Sequence, residues 1–233
     1  MKNTLIFAVA CATLFGMSGA KAIAQQGPGA SKGVGDVKVT VEHIANGDAT
    51  DKFAFKTVPA PSKTDAATKA KFSLITGDQD GNGAGLEALH DGVLPSGEDV
   101  PDANFFFNAD SDGGRIGVDL TNAIDIKEIN TYSWHPNTRG PQYYKLYASD
   151  GTDAAFKAKP DGSTDPVKAG WKLLATVDTR PKDGEAGGQY GISITSAGGT
   201  VGHFRYLLFD CMPTEHDDGF GNTFYSEIDV VAK

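Results

Sequence analysis

Residues 78–92 read DQDGNGAGLEALHDG, and the stretch admits two opposite folds. Asp78, Asp80 and Asn82 alternate ahead of Gly83, which is how a calcium loop between two helices begins. Such a loop closes on a bidentate Glu at its twelfth position. Counted from Asp78, that position is Leu89, and the eighth, ordinarily apolar, is Gly85. Neither flank carries the apolar period of an amphipathic helix. Asp, Asn and Gly also build plain turns, because the short polar side chains bond the nearby backbone and Gly accepts positive φ. The stretch reads as an acidic turn in a β protein.

The rest of the chain agrees. Short runs with period-two alternation recur at VKVTVEHI (37–44), FAFKTV (53–58), KFSLI (71–75), RIGVDL (115–120) and INTYSW (129–134). They continue at YYKLYAS (143–149), WKLLATVD (171–178), YGISIT (190–195), FRYLLFDC (204–211) and FYSEIDVV (224–231). Alternation with aromatic and β-branched residues predicts strands that bury one face, and Gly, Pro, Asn and Asp fill the gaps. Trp171, Leu173, Ala175 and Val177 form one expected apolar face, Ile192 and Ile194 another. FFFN (105–108) reads as core and turn packing. The single expected helix is TDAATKAK (64–71), capped by Thr64 or Asp65. Without helices between strands there are no βαβ units, and the fold class is all-β, an antiparallel sandwich or barrel. Residues 154–170 carry Pro160 and Pro166 without a period and read as an inserted surface loop.

The N-terminus is read as a signal peptide over 1–24. Lys2 precedes the apolar LIFAVACATLFGMSG, and AIA (22–24) supplies small residues for cleavage after Ala24, with Ala22 the near alternative. Residues 25–36, QQGPGASKGVGD, read as a flexible leader, and 37–233 as one domain. Loss of Lys2 and Lys21 leaves 19 basic and 30 acidic side chains, a formal charge of −11. So acidic a chain is a poor partner for nucleic acid or anionic lipid. No second apolar segment is long enough to anchor the mature chain across a membrane. Cleavage also removes Cys11 and leaves Cys211 alone, so no intrachain disulfide forms.

Four pieces, in order, resemble the discoidin-like family, the coagulation factor V/VIII type C domains of the galactose-binding-like jelly rolls. They are LHDGVLP (89–95), GRIGVDLTNAIDIKEINTYSW (114–134), GPQYYKLYASDG (140–151) with GWKLLATVD (170–178), and FRYLLFD (204–210) with NTFYSEIDVV (222–231). They cover about 86–231. The chain departs from the family in the long loop between Gly151 and Gly170, and at Thr121, where the family commonly has Gly.

The resemblance implies an antiparallel jelly-roll sandwich and one structural calcium, with Asp91 and Glu227 in the two side-chain places and backbone carbonyls supplying the rest. The alternative for this pair is a capping Asp and a rim Glu in water. The resemblance also implies carbohydrate binding on loops at one end. WHPNTRGPQ (134–142) offers His135, Asn137 and Arg139, and TEHDDGFGN (214–222) offers His216 and Phe220. Polar groups of this kind match sugar hydroxyls, and an aromatic ring packs on a sugar's C–H face. The alternative is a rigid turn in which Arg139 pairs with a carboxylate and His135 packs on Trp134. No HExxH, no G-x-S-x-G and no exposed nucleophile is found, and Cys211 reads as a small buried hydrophobe. The expectation is an exported, non-catalytic module for a glycan or related surface ligand. The alternatives are a structural or adhesive protein that binds envelope or matrix proteins, and a hydrolase with a carboxylate pair.

Overall fold

The computed structural model describes residues 30–233; the signal segment and its cleavage site lie outside the described residues. Nine strands run as β1 (Lys32–Gly33), β2 (Val37–Ala45), β3 (Lys71–Thr76), β4 (Gly114–His135), β5 (Tyr143–Ser149), β6 (Lys172–Asp178), β7 (Gly188–Ser196), β8 (Gly202–Cys211) and β9 (Tyr225–Ala232). Every pairing is antiparallel.

Strand β4 organises the molecule. The runs 115–120 and 129–134, read from sequence as two strands, are the ends of one strand of 22 residues. Its first half lies between β3 and β8, and that layer continues through β5 and β6 to β1. Its second half lies between β7 and β9, with β2 added to β7. The two layers therefore share a strand and close on each other as an antiparallel β-sandwich. The corner falls where the register against β8 slips between Asp119 and Ile124, and there Thr121 takes a φ of 69°.

Alternation places Ile116 and Val118 of β4, Leu146 of β5, Ile192 and Ile194 of β7, Leu207 and Phe209 of β8, and Ile228 and Val230 of β9 in one core. Each such side chain contributes roughly 1.5–3 kcal/mol when fully buried. Phe105 and Phe107 join this core, as the packing reading of FFFN expects. Cys211 is buried in it too, and burial pushes its thiol up to about 12. At 78–85 the Asp80 carboxylate accepts the Asn82 backbone and side-chain N–H groups, both at 2.9 Å, and its carbonyl accepts the Gly83 N–H. This is a turn, not a calcium hand.

Four local expectations are corrected. FAFKTV is not a strand: the segment crosses the outer face of the second layer, where no free edge offers a ladder. Phe53 turns with φ 47° and packs edge-on against Tyr132 and Trp134. The helix over 64–71 is only a 3₁₀ turn at Ala67–Lys69, because β3 begins at Lys71; its N-cap residue is Ala66 rather than Thr64 or Asp65, and the Asp65 carboxylate accepts the Ala67 N–H at 2.7 Å. Part of the leader is not loose: Lys32–Gly33 pairs with β6, and the Ser31 hydroxyl donates to the Asp178 carbonyl. The expected face on β6 divides at a register slip opposite Leu146 and Tyr147. Ala175 and Val177 stay in the core, while Trp171 and Leu173 join an outer cluster with Tyr147 and Leu208. The inserted loop packs on that cluster through Phe156, and Arg115 ties it down by donating to the carbonyls of Asp161 and Thr164.

Candidate ligand-binding site

The loop after β4 and the loop before β9 meet at one end of the sandwich. The Phe224 N–H donates to the Arg139 carbonyl at 3.0 Å, and the Thr223 hydroxyl donates to the Pro141 carbonyl at 2.6 Å. The Thr214 hydroxyl bonds the carbonyls of Thr138 and Gly221, spanning both loops. Asn222 reaches a third loop through the Asn108 carbonyl at 2.9 Å. Beneath them lies a buried polar brace. Gln142 accepts from Thr131 at 2.6 Å and donates to Ser133 at 3.1 Å, so the loop root is fixed to the inward face of β4. Such a brace is stable because each buried member finds a partner.

Arg139 sits in an aromatic cage. Its guanidinium carbon is 4.0 Å from the centre of the Phe224 ring, 4.9 Å from Phe106 and 5.8 Å from Phe220. Phe106 and Phe224 are themselves stacked at 4.1 Å. Only Nε is engaged, donating to the Asn222 carbonyl at 3.4 Å, and no carboxylate pairs with the side chain among the described residues. Burial lowers its pKa, while Asp80, Asp99 and Asp218 act in the opposite sense from a distance. The cage holds the cation through ring faces and leaves its terminal N–H groups unspent.

His135 is buried beside the cage, its ring 4.5 Å from Phe224 rather than against Trp134. Its Nδ1 accepts the Asn137 backbone N–H at 3.3 Å, which places the proton on Nε2. Burial, then Arg139, pulls its pKa down to about 4, with Asp99 and the Asn137 contact opposing. The imidazole is therefore a neutral donor at neutral pH. The Asn137 side chain is exposed. Phe220 is the exposed aromatic of the rim, 51% accessible.

His216 lines a depression of about 120 Å³ with Asp110, Ser111 and Glu215. The structure thus gathers His135, Arg139 and Phe220, leaves the Asn137 side chain exposed, and places His216 in the depression with Asp110 and Ser111. Phe106 and Phe224, which build the cage, were read from sequence only as core and strand. Their signal is an aromatic at each strand edge facing an Arg-bearing loop, and it becomes visible only once the loops are paired in space.

Of the two expected calcium residues, Glu227 is fully buried. One oxygen accepts the Gly92 N–H at 3.0 Å, and the other has no partner among the described residues. Burial and then Asp229 push its pKa up to about 9, and burial and then Asp65 push Asp229 up to about 7. Glu227 fits a cation ligand. Asp91 is exposed, and its Oδ1 accepts the Val93 N–H at 2.7 Å.

The fold is similar to that of known carbohydrate-binding modules. One is a family 32 module of a family 89 glycoside hydrolase produced by Clostridium perfringens, at 17% identity and a TM-score of 0.41, covering 73% of this chain and 100% of that one. Another is the family 32 module of C. perfringens NanJ in complex with galactose, at 11% identity and a TM-score of 0.42, covering 72% and 97%. A third is a Streptococcus pneumoniae fucose-binding module, at 9% identity and a TM-score of 0.43, covering 73% and 98%. The chain also spans 28% of SpGH29 and 14% of a family 89 glycoside hydrolase from C. perfringens. No protein-family model and no curated protein matches it. No helix among the described residues is long and apolar enough to cross a membrane.

Proposed function

We propose that the chain is an exported, non-catalytic module that binds an extracellular or cell-surface carbohydrate at the rim formed by residues 134–142 and 214–222. The observation that carries this is the cage. Arg139 lies against the Phe106 and Phe224 rings with its terminal donors unspent. A neutral His135 lies against one of those rings, and an exposed Phe220 stands at the edge. Fixed donors beside an apolar face suit a sugar ring, whose hydroxyls need partners and whose C–H face needs a flat apolar surface. Export rests on the sequence of residues 1–24. A single shallow site of this kind binds weakly, because hydroxyl desolvation offsets much of the gain.

The test is an immobilised glycan array followed by titration calorimetry on the best binder. Phe220→Ala, at an exposed position, is expected to weaken binding about tenfold, ~1.4 kcal/mol. Arg139→Ala is expected to weaken it further. A folded chain that is silent across the array would reject the sugar reading in favour of a protein partner.

A further inference from the structure

Each layer of the sandwich ends in a strand whose outer edge carries backbone N–H and C=O groups in need of a partner. β6 is closed by β1 and by the Val34 N–H, which donates to the Leu174 carbonyl at 2.9 Å. β9 is capped by the turn beside it: the Ala66 N–H donates to the Val230 carbonyl at 2.9 Å, and the Asp65 carboxylate accepts the Val230 N–H at 2.8 Å. β3 has six residues, and its register slips between Leu74 and Thr76, a bulge that makes a poor template. β2 is different. Its nine residues, VKVTVEHIA, hold no Pro or Gly and follow β7 without a slip. It is the last strand of its layer, and among the described residues no backbone hydrogen bond reaches residues 38–44 from the side away from β7. A regular edge of this length is a template for another strand.

The side chains along this edge say which strand it fits. Lys38, Thr40 and Glu42 alternate on one face. Lys38 and Thr40 are exposed and Glu42 is half-buried. One Glu42 oxygen accepts the Thr57 and Val58 N–H groups at 2.9 and 3.0 Å, and neither Lys38 nor Glu42 has an ion-pair partner among the described residues. The order Lys–Thr–Glu is self-complementary when read antiparallel about Thr40. Lys38 then faces Glu42 of a second copy, Val39 faces Val41, and Thr40 faces Thr40. Opposite-charge, β-branched and Thr–Thr pairs are the cross-strand pairs that stabilise a sheet. Moving the axis to Val41 sets Lys38 against Ile44 and Glu42 against Thr40, and both ion pairs are lost. Moving it to Val39 sets Glu42 against Asp36, two like charges.

We propose that a second copy of this chain docks on the open edge of β2, by antiparallel β2–β2 pairing about a two-fold axis at Thr40. The contact is isologous, so each copy closes the other's edge and assembly stops at two. The second layers of both copies become one continuous sheet, and the dimer carries two rims, which raises avidity for a surface that displays many copies of a weak ligand. The inference stands independently of the sugar site.

Sedimentation equilibrium of the mature chain, 25–233, over a concentration series is the test, with near-ultraviolet dichroism to confirm that each variant is folded. The wild type is expected to show a monomer–dimer equilibrium. Lys38→Ala, at an exposed position, is expected to weaken the dimer, and Lys38→Glu to weaken it further, about tenfold against the wild type, because each end then opposes two acids. Thr40→Cys places one thiol on the axis and is expected to form a disulfide-linked dimer under mild oxidant. Cys211 is buried and does not compete. A wild-type chain that stays monomeric to about 1 mM would overturn the interface, as would a folded monomer that accepts only an extended peptide of another protein. A dimer that is indifferent to Lys38→Glu, or that Thr40→Cys does not cross-link, would show that the copies meet through another surface.

Discussion

Arg139 and His135 share one aromatic wall, and burial there, followed by the guanidinium, sets the imidazole's charge state. Burial and the guanidinium together pull the imidazole's pKa down from 6.5 to about 4. The folded protein therefore keeps His135 neutral down to about pH 4, while the unfolded chain takes up a proton below about 6.5. A depressed folded pKa gives stability that is complete above the unfolded value. It is lost as pH falls from 6.5 towards 4, by at most ~1.4 kcal/mol per pH unit. Asp99 and the Asn137 contact oppose this shift without cancelling it. His135→Gln removes this one titration and leaves all others shared. The urea midpoint at pH 5 minus that at pH 7 is therefore expected to be more positive in the variant than in the wild type. Equal pH dependence in the two chains would mean that His135 is not held neutral.

At the level of elements, the corner of β4 explains a departure noted in the sequence. Thr121 stands where discoidin-like domains commonly carry Gly, and it adopts φ 69°. A β-branched side chain in that region is strained by about 1–2 kcal/mol. Two contacts offset part of this: its N–H donates to Asp119 at 2.8 Å, and its hydroxyl donates to the Leu120 carbonyl at 2.6 Å. Thr121→Gly is expected to stabilise the fold by ~0.5–1.5 kcal/mol, read as a rise in the urea midpoint with unchanged m. An unchanged or lower midpoint would mean that the two hydrogen bonds outweigh the strain. The same corner shows what the sequence could and could not reveal. Alternation identified both ends of β4, because each end buries one face. It did not reveal their continuity, because residues 121–125 are mostly exposed at the bend and carry no apolar period. FAFKTV alternates like a strand, yet its rings serve as a cover; alternation reports a buried face and does not report a ladder. The rim loops were legible by composition. The cage was not, because Phe106 is 33 residues from Arg139 in sequence.

For the whole molecule, the N-terminal third decides where the domain begins. The discoidin-like resemblance covers only about 86–231, which leaves two roles for 37–85, an appendage or a part of the sandwich. The pairings favour the second. β2 completes the second layer along the whole length of β7, from Val37 opposite Ser196 to Ala45 opposite Gly188. β3 lies against the first half of β4. Between them, Phe53 and Val58 seal Tyr132 and Trp134, and Ser62 and Asp65 donate to or accept from β9. Because β4 belongs to both layers, loss of β2 or β3 is felt on both sides. We infer one cooperative unit over 37–233. A chain of 30–233 is expected to unfold in a single urea transition, with tryptophan fluorescence and circular dichroism coincident. A chain of 86–233 is expected to be aggregated or to lack near-ultraviolet dichroism, because it exposes the Tyr132 and Trp134 face and bares one edge of β7 and one edge of the first half of β4. A soluble 86–233 fragment with native near-ultraviolet dichroism would show that residues 37–85 are an addition to a domain already complete without them.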